Sequence, residues 1–235
     1  MNEEVIKYRK RRFKRLKDRG IRADADWVEN DHPRDEGGQF TEKGGSSASE
    51  RSPKEVSVKI KPVPTKKCRI EVYADKLKKC ADAVPRDKRW RVTVGNADYF
   101  KKEHPNADYR VTAHGSTFAV DDGDIIGVCR HPDDICSGIE LMAAAVKRGG
   151  VKLDSYSGNH GFYVKCGFEP ISWCKFDEQY APDGWIKGTD KKEPVIFYKY
   201  VGAGNVKNKD LKDFFTNVKA SEDYDTAKKI RDERL

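Results

Sequence analysis

Between Cys68 and Val201 the chain places its apolar residues at the two spacings that regular structure requires. The stretch CRIEVYADKLKKCADAV has an apolar start, read as a strand. It then sets Tyr73, Leu77, Cys80 and Ala81 at helical intervals. In WRVTVGN, Trp90, Val92 and Val94 alternate with polar residues, which predicts a strand. YRVTAHGSTFAVDDGDIIGVCRHP reads as two or three strands folded back at the tight turn Asp121-Asp122-Gly123. SGIELMAAAVKRGG is the strongest helix: Ser137 and Glu140 have the spacing of a capping box, and Gly149 stands where a helix stops. VKLDSY predicts a strand, GFYVKCGF a short helix and turn, and EPISWCKFD and EPVIFYKYV the last two strands. Apolar strands on either side of the long helix point to an α/β domain, an α+β arrangement with helices over a mixed sheet.

The flanks follow a different pattern. EEVIKYRKRRFKRLKDRG, within residues 1–29, carries Val5, Tyr8, Phe13 and Leu16 as an apolar stripe on a basic amphipathic helix, with Gly20 as its stop. Residues 30–67 are dense in Gly, Ser and charge and read as a flexible linker. Residues 202–235 return to charge, with amphipathic helices expected over about Leu211–Val218 and Ser221–Leu235. The periodicity does not decide whether these pack on the domain or on a partner.

Composition agrees with one domain and solvated extensions. The 235 residues are 37% hydrophobic and 37% charged, with a mean hydropathy of -0.86. No run approaches the ~18 apolar residues of a membrane span, and no apolar segment follows the N-terminus. A non-secreted protein without a membrane span is expected, in a host cytoplasm or a virion if the origin inferred below holds. Charge is concentrated at one end. Residues 1–22 hold ten Lys or Arg against three acids, a net +7, which leaves +1 of the total +8 for the other 213 residues. A basic helix of this kind suits nucleic acid, an anionic surface or a partner groove.

Six cysteines, Cys68, Cys80, Cys129, Cys136, Cys166 and Cys174, are expected as reduced core thiols. The spacings Cys129-x-His131-x4-Cys136 and Cys166-x7-Cys174 lack the tight knuckle of a structural zinc site, so no metal is expected.

Two motifs carry resemblance. Arg34, Asp35, Gly38, Gln39, Phe40 and Thr41 in HPRDEGGQFTEKG resemble a segment of tailed-phage and prophage structural proteins, near minor head components. Asn159, Phe162, Tyr163, Lys165, Gly167, Phe168 and Pro170 in GNHGFYVKCGFEP resemble the tyrosine-bearing corner of the GNAT N-acyltransferase superfamily, and the resemblance spans roughly residues 68–201. It implies a sheet whose two central parallel strands splay to admit acetyl-CoA, and a long helix whose N-terminus receives the pyrophosphate. Cys136, Ser137, Gly138 and Asn159 would then touch the cofactor. Tyr163 would act as general acid. Asp154, after Leu153 on its strand, is a candidate base facing the cleft or, equally, a buried acid capping the Ser157–Asn159 turn.

The turn before the long helix departs from that family's glycine-rich loop. His131-Pro132-Asp133-Asp134-Ile135-Cys136-Ser137-Gly138 puts two acids where a pyrophosphate would sit, and Glu140 would add a third. Two roles follow from the resemblance. One is a virion- or host-interaction module, with phage structural or host proteins as partners and cofactor binding weakened or lost. The other is an active N-acetyltransferase. A third reading is an ADP-ribosyltransferase-type effector, built on Arg110 and the pair Ser116-Thr117, although no late Glu-x-Glu pair follows. A fourth gives the work to nucleic-acid binding by residues 1–22. His114 and His160 have no partner visible in the sequence, and Asp121, Asp122 and Asp124 read as solvated turn residues.

Overall fold

The structure, a computed structural model, describes residues 60–235. The basic helix, the phage-like segment and the linker up to residue 59 lie outside the described residues. Seven strands form one mixed sheet: β1 (Lys66–Lys67), β2 (Asp108–Val111), β3 (Thr117–Asp121), β4 (Asp124–Cys129), β5 (Lys152–Tyr156), β6 (Phe168–Cys174) and β7 (Val195–Tyr200). Seven helices accompany them: α1 (Ile70–Asp82), α2 (Arg86–Arg89), α3 (Ala97–Glu103), α4 (Gly138–Lys147), α5 (His160–Lys165), α6 (Leu211–Asn217) and α7 (Tyr224–Asp232).

The sheet order is β1-β2-β3-β4-β5-β7-β6. Every neighbouring pair is antiparallel except β4 and β5, which run parallel and share one ladder pair, Asp124 with Lys152. Beyond that pair the two strands part. The long helix α4 makes the crossover between them, as parallel neighbours demand.

Alternation along each strand sends side chains to two faces. Phe118, Val120, Leu153, Ile196 and Tyr198 join Leu141, Met142, Ala144 and Ala145 of α4, Cys166 beside α5 and Phe214 of α6 in the larger core. On the other face Ala119, Tyr109 and Cys129 meet Tyr73, Leu77 and Cys80 of α1 and Phe100 of α3. Phe197 and Cys174 meet Ala227 of α7. Burying each large apolar side chain contributes about 1.5–3 kcal/mol, so the two cores hold the sheet from both sides.

Two expectations meet a different outcome, and one helix is added. WRVTVGN does not pair. Arg86–Arg89 forms a helical turn, Trp90 is buried with its indole N–H donating to Asp87 O at 3.1 Å, and Val94 is exposed. The apolar start at Cys68 is no strand, because helix α1 already begins at Ile70; the edge strand lies just before it, where Lys66 and Lys67 pair with Val111 and Arg110. Helix α3 was not anticipated. Its start is set by Asn96, whose side chain accepts the Tyr99 N–H, and Phe100 anchors it. Residues 202–235 pack on the sheet, with α6 in the larger core and α7 on the opposite face.

Gly127 marks the point where β4 leaves regular geometry. Its φ is +56°, and an added Cβ would overlap the hydroxyl of Tyr73. That hydroxyl lies 3.3 Å from both Ile126 O and Gly127 O, and Thr117 Oγ1 donates to Gly127 O at 3.1 Å. Gly127→Ala is therefore expected to destabilise the domain by about 2 kcal/mol or more, from left-handed strain plus overlap. In urea unfolding, the pair Gly127→Ala with Tyr73→Phe should be less than additive; full additivity would refute the contact as the cause.

Candidate functional site

The turn from Arg130 to Ser137 joins β4 to α4, and its polar groups are satisfied from within. Asp134 is 1% exposed. Its carboxylate accepts the Thr112 hydroxyl, the Ser116 hydroxyl at 2.6 Å and the Cys136 N–H at 3.2 Å. Ser116 Oγ in turn accepts the His131 N–H at 3.0 Å. Arg130 closes the turn from the other side, donating to Cys136 O at 2.6 Å and Asp134 O at 2.9 Å. Burial alone would raise the Asp134 carboxyl, but the bonds from Ser116, Thr112 and Cys136 outweigh it and hold the group below the ordinary carboxylate range.

Helix α4 is closed in the same manner. Ser137 is the N-cap and accepts the Glu140 N–H at 3.2 Å, while the Glu140 carboxylate accepts the Ser137 N–H at 2.7 Å. Both halves of the capping box are formed. Gly138 is roofed by Phe162 of α5, whose ring would stand 2.9 Å from an added Cβ.

Helix α5 brings Tyr163 and Asn159 to one atom. Asn159 Nδ2 donates to Ser155 Oγ at 3.1 Å, and the Tyr163 hydroxyl bonds the Ser155 side chain. Around it, Phe162, Phe168 and Tyr198 pack at ring-centroid distances of 5.1, 6.3 and 5.5 Å. Burial pushes the phenol up to about 12, with the Ser155 bond partly opposing.

Asp154 does not join Tyr163. It follows Leu153 on β5, so it faces the opposite side of the sheet from Leu153 and Ser155. There it meets α7. Tyr224 bonds its carboxyl, and burial and the neighbouring Asp124 raise it to about 6 despite Arg231, Tyr224 and Lys228. Arg231 is 0% exposed and grips Asp124 through two nitrogens, at 2.9 and 3.3 Å, and Asp232 at 2.9 Å. The candidate acid and base thus stand on opposite faces. Nor does Asp154 cap the Ser157–Asn159 turn; Glu193 does so, accepting the Gly158 N–H at 3.0 Å while bound to Arg91.

The remaining candidates serve the fold. Arg110 Nε sits 2.8 and 2.9 Å from the Asp108 carboxylate oxygens, Ser116 holds Asp134, and Thr117 holds the β4 bend. His160, 4% exposed, lies between Tyr198 Oη at 3.2 Å and Lys209 O at 3.0 Å, while His114 is exposed. Of the turn acids, Asp121 pairs with His104 at 2.7 Å and Asp124 with Arg231, so these two are structural. All six cysteines are free, five of them buried. Burial pushes the Cys136 and Cys166 thiols up to about 12 and Cys174 to about 11. A groove of about 650 Å³ lies elsewhere, between α1, Val92–Ala97 and Pro182–Gly184.

The interlock of Arg231, Asp124, Tyr224 and Asp154 was missed by pattern reading, because Arg231 and Tyr224 lie in a charged tail helix where burial leaves no signature. No helix among the described residues is long and apolar enough to cross a membrane. No protein-family model matches the chain, and no curated protein or solved structure matches it at a significant level.

A pyrophosphate does not fit the turn as it is built. It would have to displace Glu140 from the Ser137 amide, lift Phe162 from Gly138 and sit beside the buried charge of Asp134. At an effective dielectric of about 20, a unit charge ~6 Å from a phosphate costs about 3 kcal/mol before screening. A helix N-terminus returns ~0.3–1 kcal/mol.

Asp134→Ala would strand two hydroxyls and an amide, and is expected to cost about 2–4 kcal/mol in denaturant unfolding. Because the folded-state Asp134 carboxyl lies below its unfolded value, its contribution is complete above the usual carboxylate range and is lost as pH falls through the folded value. Asp134→Asn should remove that acid-limb loss in urea titrations; an unchanged acid limb would show that the carboxylate is not its source.

Proposed function

We propose that this chain carries a divergent GNAT-type domain of phage or prophage origin, serving virion or host interaction, with its acyl-CoA turn converted into internal support. The parallel pair β4 and β5, which part after one ladder pair with α4 starting beyond β4, supports the GNAT-type reading. The observation that carries the loss of cofactor binding is the closed turn: Asp134 bonded on every side and the Ser137–Glu140 capping box complete. The separation of Tyr163 from Asp154 supports the same reading, since proton transfer requires both groups within reach of one substrate. Phage structural or host proteins are the partners this role implies, through surfaces other than the turn.

The active acetyltransferase retains one favourable feature, the convergence of Asn159 and Tyr163 on Ser155 at the end of β5. Calorimetry of the full chain with acetyl-CoA separates the two readings. The expected result is no binding heat at millimolar cofactor, for the native chain and for Tyr163→Phe alike. Micromolar binding by both, with acyl transfer to an amine lost only in Tyr163→Phe, would replace this proposal with the enzyme.

A further inference from the structure

The described residues divide sharply in charge. Residues 60–104, which contain β1 and the helices α1, α2 and α3, hold thirteen Lys or Arg against six acids, while residues 105–235 hold nineteen against twenty-one. A basic excess gathered in one part of a domain is the footprint of an anionic partner. Several of its cations are paired, Lys79 with Asp75, Lys101 with Glu71 and Arg86 with Asp190. Lys66 and Lys67 of β1 are exposed and enter no ion pair among the described residues.

On β2, Arg110 stands opposite Lys67 in the ladder, so two cations lie side by side on one face of the sheet. Arg110 is also opposite Phe118, whose place in the larger core makes this the α4 face. Asp108, two residues before Arg110, holds two guanidiniums there. Arg110 Nε lies 2.8 and 2.9 Å from its two oxygens, and Nε of Arg148, the residue after α4, lies 2.9 Å from one. Each arginine uses only Nε for that contact, and its Nη nitrogens donate to no acceptor among the described residues. Burial would raise the Asp108 carboxyl, but the bonds from Arg110 and Arg148 outweigh it and keep it ionised. Three cations thus share one anion. Directly opposed like charges destabilise a strand pair. Guarding a sheet edge accounts for lysines on β1, but not for two arginines fixed on one carboxylate behind them.

We propose that Lys67, Arg110 and Arg148 form a phosphate site for a nucleic-acid backbone at the open edge of the sheet. Asp108 sets the two guanidiniums through Nε and leaves their Nη nitrogens to meet phosphate oxygens, while Lys67 adds a compact ammonium. The Arg148 side chain is 45% exposed and β1 is the end strand of the sheet, so the place is open along its length. An open, cationic edge suits a chain of phosphates better than one small anion. Contacts of this kind position a strand without reading its sequence. The site adjoins the C-terminal end of α4, not the Arg130–Ser137 turn at its start, and does not depend on whether acetyl-CoA binds.

Fluorescence anisotropy of a labelled single-stranded DNA of about 20 nucleotides, titrated with the full chain at several salt concentrations, tests the site. The double variant Lys67→Gln with Arg148→Gln should bind roughly tenfold more weakly, and its plot of log affinity against log salt should be shallower by about 1–1.5. Arg148→Lys, which keeps the charge and removes the fork, should show a partial loss. A matched variant, Lys207→Gln with Lys219→Gln, removes two exposed cations of the C-terminal segment and should bind as the native chain does. That comparison separates the site from net charge, including the charge of residues 1–22. If the double variant does not fold, Lys67→Gln alone decides, because its side chain is exposed on the edge. Unchanged affinity in the double variant, an equal loss in the matched variant, or no native binding at low salt would each overturn the proposal. So would retention on phosphatidylglycerol vesicles that the double variant loses while its DNA affinity is unchanged, which would assign the site to a lipid headgroup.

Discussion

The two halves of the sheet meet at Asp124, and the rest of the molecule is arranged around that junction. Its backbone makes the one ladder pair between β4 and β5, and its carboxylate takes the fully buried Arg231. One parallel pair is a weak seam, so the join is reinforced on both faces. Helix α4 lays Leu141, Met142, Ala144 and Ala145 in a core shared by Phe118 and Val120 on one side of the seam and Leu153 and Ile196 on the other. On the opposite face Arg231 ties Asp124 to α7, which rests on β6 and β7. The Gly123 carbonyl accepts the amides of both Val151 and Lys152, which brings β5 in directly after the β3–β4 turn. Beyond this seam nothing pairs the strands, and β4 is free to bend at Gly127.

What stands at the end of β4 depends on how its amides are satisfied. A helix N-terminus attracts an anion when its first N–H groups are unmet. Here the sequence supplies the anions itself. Glu140 meets the Ser137 amide, Asp134 meets that of Cys136, and the Thr112 and Ser116 hydroxyls spread the Asp134 charge over the β2–β3 turn. Stability and ligand binding compete for the same donors at such a site. In this chain those donors are taken up by Glu140 and Asp134, and the Phe162 ring lies over Gly138 beside them.

Much of this was legible in the residues. The Ser137–Glu140 spacing announced the capping box, the apolar residues of VKLDSY and EPVIFYKYV announced β5 and β7, and Asp133 and Asp134 stood out as charges where the resemblance would put an anion. The failures have physical causes. WRVTVGN has the period of a strand, but its tryptophan is needed in a pocket against Tyr156, at a centroid distance of 4.9 Å, and tertiary packing overrode the pattern. Asp154 and Tyr163, nine positions apart in sequence, were paired on chemistry alone. Because Asp154 and Ser155 point to opposite faces, the residue that bonds the Tyr163 hydroxyl lies across the sheet from the acid it was paired with. Burial of Arg231 cannot be read from a charged tail at all; it depends on which face of α7 the sheet accepts.

Asp134 and Asp154 show how far surroundings, rather than residue type, decide what a carboxylate does. Three donors aim at Asp134, none of them bearing charge, and together they keep it ionised below its usual range. Burial and the neighbouring Asp124 raise the Asp154 carboxyl to about 6, against Arg231, Tyr224 and Lys228. The first arrangement keeps a charge buried inside a turn. The second leaves a carboxyl raised from its usual value beside a short helix with one buried apolar side chain. The residue type is the same at both positions; the donors, the neighbouring charges and the burial around each set opposite directions of shift.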